Sequence, residues 1–541
     1  MNTYTTVPSG EQVVQELPWR WKVQGRIFLI GGLGFMFDAW DVTLNGILIP
    51  LLSKHWSLSA GEAAWVGTAN LVGMALGAFI WGTIADTVGR KKAFTATLLL
   101  FSVFTVCGAF APDFIWFCAF RFLAGFGLGG CIPVDYALVG EFTPRKQRGK
   151  VLTAMDGWWP IGAALAGFVS AGLVALYGDW RLTMLVMVLP ALLVFWVRRS
   201  VPESPLFLIR KGRREEAARI IDGLVEATGA EPRAYSLPDA RDVPRLSAGS
   251  AWTQLRSVWQ FSWKITAAAW SLFFSILLVY YLSLTWMPRI LIGAGFAEYK
   301  AFVTTASMAA VGFLGVVVAA LLVERVGRKW ILAITGPLSA LTLVIVAFVV
   351  DIPTAAVFWL LVFGFVVQVA IPVLYAYVSE LYPTELRGTG FGWASTFSRL
   401  GAGFGPLIFA NYFWPELGLA TSFALAGALV LVSVLWMAFF SPKPASAGCS
   451  RRLPTDSQLL SFSHVKTAST ASYFGTQPLL RSAPRTFERA DNAWFCMWRF
   501  EILTSSHPPR LKSSSRSISL TICCGSEWPS PSYSTAILYS G

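Results

Sequence analysis

Charge is what this sequence has least of. Only 13% of its 541 residues are Asp, Glu, Lys or Arg, about half the usual share of a soluble domain. Acids are the scarcer sign, 30 against 43 bases, which leaves a formal charge of +13. Histidine is nearly missing: of three, His464 and His507 fall near the C-terminus and only His55 stands elsewhere. Seven cysteines follow no metal-ligand spacing. Cys107, Cys118 and Cys131 lie in apolar runs, and Cys449, Cys496, Cys523 and Cys524 lie beyond the last of these. This excludes a zinc site and a disulfide framework. There is no glycine-rich phosphate loop and no cleavable signal pattern. A membrane enzyme acting on lipid would need a catalytic constellation at a membrane face, and a sensor a sizeable soluble output region. Neither is found, so the chain reads as a non-enzyme with no cofactor and no metal.

What is abundant is apolar length. Hydrophobic residues make up 55%, 24 residues are Trp, and the mean hydropathy is +0.58. Runs long enough to cross about 30 Å of hydrocarbon fall at about 27–52, 62–85, 93–112, 114–139, 151–177 and 180–197. Six more follow at about 264–288, 301–323, 330–350, 354–379, 389–413 and 417–440. Twelve spans make this an all-α membrane protein. The bases sit in alternate loops: Arg90, Lys91 and Lys92; Arg145, Lys146, Arg148 and Lys150; the segment 198–263; then Arg325, Arg328 and Lys329. The loops between hold few. That alternation belongs to a chain in a lipid bilayer with both termini cytoplasmic, and it argues against nucleic acid as the partner. Within the central segment, Arg213 to Ala227 has helical apolar spacing and mixed charge, expected as an amphipathic surface helix. From Ser441 the chain is rich in Ser, Pro and Thr without a spanning run. It is expected to be disordered and incidental, with a regulatory tail as the alternative.

The chain repeats itself. Glu141-Phe-Thr-Pro144 leads to Arg148-Gly149, and Glu380-Leu-Tyr-Pro383 leads to Arg387-Gly388, 239 positions on. Asp86-Thr-Val-Gly89-Arg90-Lys91 returns as Glu324-Arg-Val-Gly327-Arg328-Lys329, 238 positions on. Two motifs at nearly one offset mark two halves of the same orientation. The expected organisation is a cytoplasmic N-terminus (1–26), a six-helix bundle (27–197), a cytoplasmic central loop (198–263), a second six-helix bundle (264–440) and a tail (441–541). The run Gly82-Thr-Ile-Ala-Asp86-Thr-Val-Gly89-Arg90-Lys91-Lys92 resembles the signature loop of the major facilitator superfamily, over about residues 20–440. The resemblance implies two bundles around a cavity that opens alternately to each side, in the plasma or inner membrane. Gly82 is expected to allow close helix approach, Asp86 to accept from a neighbouring helix's first amides, and Arg90 to pair with an acid such as Glu141. With Gly89, Arg148, Glu324, Gly327, Arg328, Glu380 and Arg387, these would latch the halves on the cytoplasmic side.

Inside the spans, charge is rare enough to be read residue by residue. The first span carries Asp38 and Asp41, each costing about 2.5–3.5 kcal/mol on insertion scales; two such residues mark a functional site or a structural polar pair. Span four carries Arg121. In the family's proton-coupled sugar porters, a span-one Asp pairs with a span-four Arg, and the matching positions are Asp38 and Arg121. Phe37-Asp38-Ala39-Trp40-Asp41-Val42 also resembles niacin-type metabolite:proton symporters, as does Phe397-Ser398-Arg399-Leu400-Gly401. Aromatic-acid symporters are close relatives. The sugar-contact positions do not match, holding Trp270, Ser271, Ile276 and Ala370, although Tyr280 and Tyr281 remain. Expected substrate contacts are Asp156, Trp158, Trp159, Gln368, Tyr375, Tyr280 and Tyr281. Asp135 stands two turns before Glu141 and could serve the latch. Arg399, deep in span eleven, is expected either to bind a substrate carboxylate or to pair with a carboxylate of the first half. The expected function is uptake of a small organic metabolite with protons, by a monomer. The alternatives are sugar or polyol symport, or proton-driven export by the same fold.

Overall fold

The computed structural model describes residues 7–237, 248–441, 519–520 and 536–537. The expected disorder of the tail lies outside these, apart from two short antiparallel strands that pair Ser519 with Ile537 and Leu520 with Ala536. The long helices are α1 Arg26–His55, α2 Ala60–Val88, α3 Arg90–Ala109, α4 Phe114–Phe142, α5 Arg148–Tyr177 and α6 Arg181–Ser200. After the central segment come α7 Trp263–Gly293, α8 Glu298–Leu322, α9 Arg328–Val349, α10 Pro353–Leu381, α11 Thr384–Ile408 and α12 Trp414–Phe440. Their starts are written locally. Ser59 and Glu62 form a capping box at α2, and Asp113 accepts from Trp116 N at α4, so side chains satisfy first-turn amides that apolar residues would leave open. Between α2 and α3 the chain turns at Gly89 with φ 107°, and between α8 and α9 at Gly327 with φ 89°. A side chain would be strained at either angle.

Helical character runs almost without break from Leu386 to Phe440, 55 residues, far longer than one crossing at about 1.5 Å per residue requires. Ring contacts show that it crosses twice. Phe397 of α11 meets Trp270, and Phe409, just past its end, meets Trp286, so α11 runs parallel to α7. Trp414 then meets Trp286, and Trp436 meets Trp263, so α12 runs back. A π-helical turn at Phe409–Phe413 and non-helical backbone at Gly418 supply the reversal.

Burial follows position. Helix α1 is apolar all round and buried along nearly its whole length, as befits a central helix. Helix α12 instead leaves Leu425, Leu429, Val432, Leu435 and Phe439 exposed, a face suited to lipid. The amphipathic helix of the central segment is Arg214–Thr228, one residue from expectation, and it buries Ala217, Ile221, Leu224 and Val225. That segment is tied to the start of the chain: Gly10 N donates to Ser236 O at 2.9 Å, Arg20 Nε to Thr228 O at 3.1 Å, and Arg233 pairs with Glu16 at 3.0 Å. Helices Pro205–Arg210 and Ala248–Phe261 complete it.

Candidate functional site

The two acids of α1 lead different lives. Arg121 does not pair with Asp38; it takes Asp41, with Nη1 2.9 Å from Oδ1 and Nη2 2.9 Å from Oδ2. Three residues turn Asp41 about 60° around the helix from Asp38 and about 4.5 Å along it, and that step faces it to α4 at the depth Arg121 reaches. The Asp41 carboxylate is met on both oxygens, while Arg121 Nε has no hydrogen-bond partner. Thr105 Oγ1 donates to Asp41 Oδ1 at 2.6 Å and Asn70 Nδ2 to Oδ2 at 3.3 Å, while Arg121 Nη2 also donates to Asn45 Oδ1 at 2.7 Å. All five side chains are fully buried. Asn45, Asn70 and Thr105 were not among the expected site residues, although each is a polar residue inside an apolar run.

Neither carboxylate oxygen of Asp38 has a hydrogen-bond partner, and neither has one in Asp135. Both residues are fully buried. Asp135 Oδ2 lies 3.3 Å from where a Cβ on Gly34 would stand, one turn before Asp38 on the same face of α1. Asp135 is therefore not part of the cytoplasmic latch. The cation facing Asp38 is Arg399 of α11, near enough to act on it electrostatically. No ion pair joins them among the described residues, and Arg399 Nη1 has no hydrogen-bond partner. The lone guanidinium is buried too, at 5% exposure.

Beside these charges is a cavity of about 20 Å³ lined by Phe35, Asp156, Trp159, Leu277, Tyr280, Tyr281, Gln368, Ile371, Pro372 and Tyr375. It has room for about one water. Six of the expected contacts meet there, from α5, α7 and α10. Trp159 Nε1 donates to Tyr280 Oη at 2.8 Å and Gln368 Nε2 to the same oxygen at 3.1 Å, joining the two halves through one phenol. Tyr136, not expected, donates to Asp156 Oδ1 at 2.5 Å. Arg399 lies close to Tyr281 and Tyr375 on the cavity's flank. Trp158 is not in the lining: it packs on Gly32 and Phe28 of α1, because successive helix positions diverge by about 100°.

At the basic-loop end the repeat becomes two clasps. Arg90 pairs with Asp86 at 2.6 Å and Glu141 at 3.1 Å. Arg328 pairs with Glu324 at 2.8 Å and Glu380 at 3.1 Å. Each clasp stays within its own half, and among the described residues no ion pair crosses between the halves at this end. Asp86 thus meets Arg90 rather than helix amides. Gly82 has no atom near the place its Cβ would take, so it marks no close helix approach. Arg148 and Arg387 form no ion pair among the described residues. Glu203 accepts from Lys91 N at 3.1 Å, tying the segment after α6 to the turn at Gly89. At the opposite end polar contacts do cross between the halves: Arg289 donates to Ser53 Oγ at 2.7 Å and Lys54 stands 3.9 Å from Glu298.

The family model described as Major Facilitator Superfamily matches residues 31–406 and 299–500. The niacin transporter NiaP of Acinetobacter baylyi is 34% identical over 70% of this chain and 84% of its own length. The benzoate transport protein of the same organism is 30% identical over 72% and 83%. The 4-hydroxybenzoate transporter PcaK of Pseudomonas aeruginosa is 27% identical over 77% and 92%. Among solved structures, the inward-open xylose transporter XylE from E. coli superposes with a TM-score of 0.62 at 18% identity, over 78% of this chain and 98% of that one, a likeness of fold. The chain belongs to the Major Facilitator Superfamily: it is a multi-pass transporter of the cell membrane and not an enzyme.

Proposed function

We propose that this carrier takes up a small carboxylate-bearing metabolite together with a proton. The observation that carries the reading is the unpartnered Nη1 of Arg399, buried opposite an Asp38 that also lacks partners. A guanidinium at that depth is costly without an anion, and its fork suits a carboxylate. Relatives named for niacin, benzoate and 4-hydroxybenzoate support the substrate class, since all three are aromatic carboxylic acids. The aromatic cavity wall offers ring faces for such a substrate.

Coupling then follows from charge. When a substrate carboxylate occupies Arg399, Asp38 loses the cation that faces it. A buried carboxylate without a counter-charge is held as the neutral acid, so substrate and proton travel together. With room for about one water at the centre, the substrate enters only when the halves part at one end. The clasps around Arg90 and Arg328 are the proposed gating elements, and the bundles 27–197 and 264–440 the proposed moving bodies.

The test is uptake into proteoliposomes under an imposed pH gradient. Nicotinate, benzoate and 4-hydroxybenzoate are compared with their neutral amides and with xylose. Carboxylates should accumulate roughly tenfold better than amides, as expected for a charged hydrogen-bonded contact, and Arg399→Gln should erase that difference. Preference for amides in wild type, equal weakening of both ligands by Arg399→Gln, or accumulation indifferent to the gradient would overturn the reading.

A further inference from the structure

A second cavity, of about 290 Å³, lies away from the transport site. Lys22 and Val23 line it from the turn before α1, Arg26 and Ile27 from the start of α1, Ser200 and Pro202 from the end of α6 and just beyond, and Arg219, Ile220, Gly223 and Leu224 from the amphipathic helix. Three cations and a hydroxyl share one concavity with apolar residues, and no acid is among the lining residues. Among the described residues none of the three cations has an ion-pair partner. Arg219 Nε makes only a long bond, 3.4 Å, to Glu215 O of its own helix. Like charges drawn into one pocket repel, and an anion is the group that would satisfy them.

The position says which anion. The cavity sits where two membrane-spanning helices end, on the side of the basic loops. Trp21, next to Lys22 in the chain, and Trp196, one helical turn before Ser200, are exposed, and Trp is a residue type that settles at the headgroup level of a bilayer. Arg198 and Arg199 add exposed positive charge next to Ser200. An apolar floor of Val23, Ile27, Ile220 and Leu224 beneath a basic rim matches a molecule with a phosphate at one end and a glyceride at the other.

We infer that this cavity is a binding site for the phosphodiester headgroup of an anionic phospholipid from the leaflet on the basic-loop side. Lys22, Arg26 and Arg219 hold the phosphate, Ser200 donates to it, and the apolar floor takes the glycerol backbone. The bound lipid joins the entry of α1, the exit of α6 and the amphipathic helix into one unit at the membrane surface.

Binding of dioctanoyl phosphatidylglycerol to the purified full-length protein in neutral detergent tests this. Dioctanoyl phosphatidylcholine, glycerol phosphate and inorganic phosphate are run in parallel, by native mass spectrometry and thermal unfolding. Wild type should bind phosphatidylglycerol well above phosphatidylcholine and unfold at higher temperature with it. Lys22→Ala, Arg26→Ala and Arg219→Gln should each weaken binding about fivefold, the share of one cation near an anionic surface. Arg210→Ala, an exposed cation outside the cavity, should leave it unchanged. Equal binding of the two lipids by wild type overturns the site without any variant having to fold. So does unaltered phosphatidylglycerol binding in the three variants. A full thermal shift from phosphate or glycerol phosphate alone overturns the lipid as its occupant.

Discussion

The stretch of α1 around Asp41 and the stretch just before it, around Asp38, bury the same chemical group to the same extent. Around Asp41 each oxygen is met: Arg121 takes both, and Thr105 and Asn70 fill what remains. Around Asp38 no donor is offered, the facing guanidinium stands off, and the neighbouring acid Asp135 is equally bare. A carboxylate so fully met has little left to give during a transport cycle, and removing its cation leaves a charge stranded. A carboxylate with no partners is free to change protonation and company. In the transport cycle proposed above, the two sites divide the labour of one helix, one holding the bundle and the other answering substrate and proton.

The largest effect should come from attacking the completed site. Arg121→Ala strands Asp41 in the bundle and should cost about 3–5 kcal/mol, seen as a sharp drop in thermal stability and in folded protein recovered from membranes. A variant as stable as wild type would erase the contrast between the acids. Next, Asp38→Asn should leave stability unchanged or higher, because it removes an unsatisfied charge, while accumulation driven by a pH gradient is lost and substrate exchange at equal pH survives. Asp135→Asn should be equally benign for stability. If either variant unfolds as readily as Arg121→Ala, the bare site is structural after all. The smallest effect separates the two clasps. Arg90 and Glu141 are 10% and 16% exposed, against 20% and 34% for Arg328 and Glu380. Arg328→Ala should cost about 0–1 kcal/mol, as exposed pairs do, and Arg90→Ala about 1–3 kcal/mol, as a more buried charged hydrogen bond does. Chemical denaturation of the two variants side by side would rank them.

The twelve helices were legible because crossing a bilayer demands apolar length, and length is written residue by residue. The clasps were legible because the repeat shows Arg90 and Arg328 in equivalent loops. The partner of Arg121 was not, since choosing between Asp38 and Asp41 needs the rotation and depth of α1 against α4, which no single helix encodes. Trp158 and Trp159 are adjacent and identical in type, and only the facing of α5 sends one to the cavity and the other to Gly32. Tyr136 and Asp135 carried a signal, being polar in an apolar run, but the bond of Tyr136 to Asp156 and the place of Asp135 beside Gly34 depend on how α4 faces α5 and α1.

The stitching of residues 8–20 to the middle of the central segment has a consequence for biosynthesis. Those bonds close on Arg233 and Ser236, so the first half ties its final knot only once the polypeptide has grown well past its sixth crossing. The natural place to divide the coding sequence is therefore between codons 237 and 248 rather than directly after α6. A fragment ending at 200 would keep only the bond from Arg145 N to Gln15 O for its N-terminal strap, whereas one ending at 237 would carry the rest of the buckle as well.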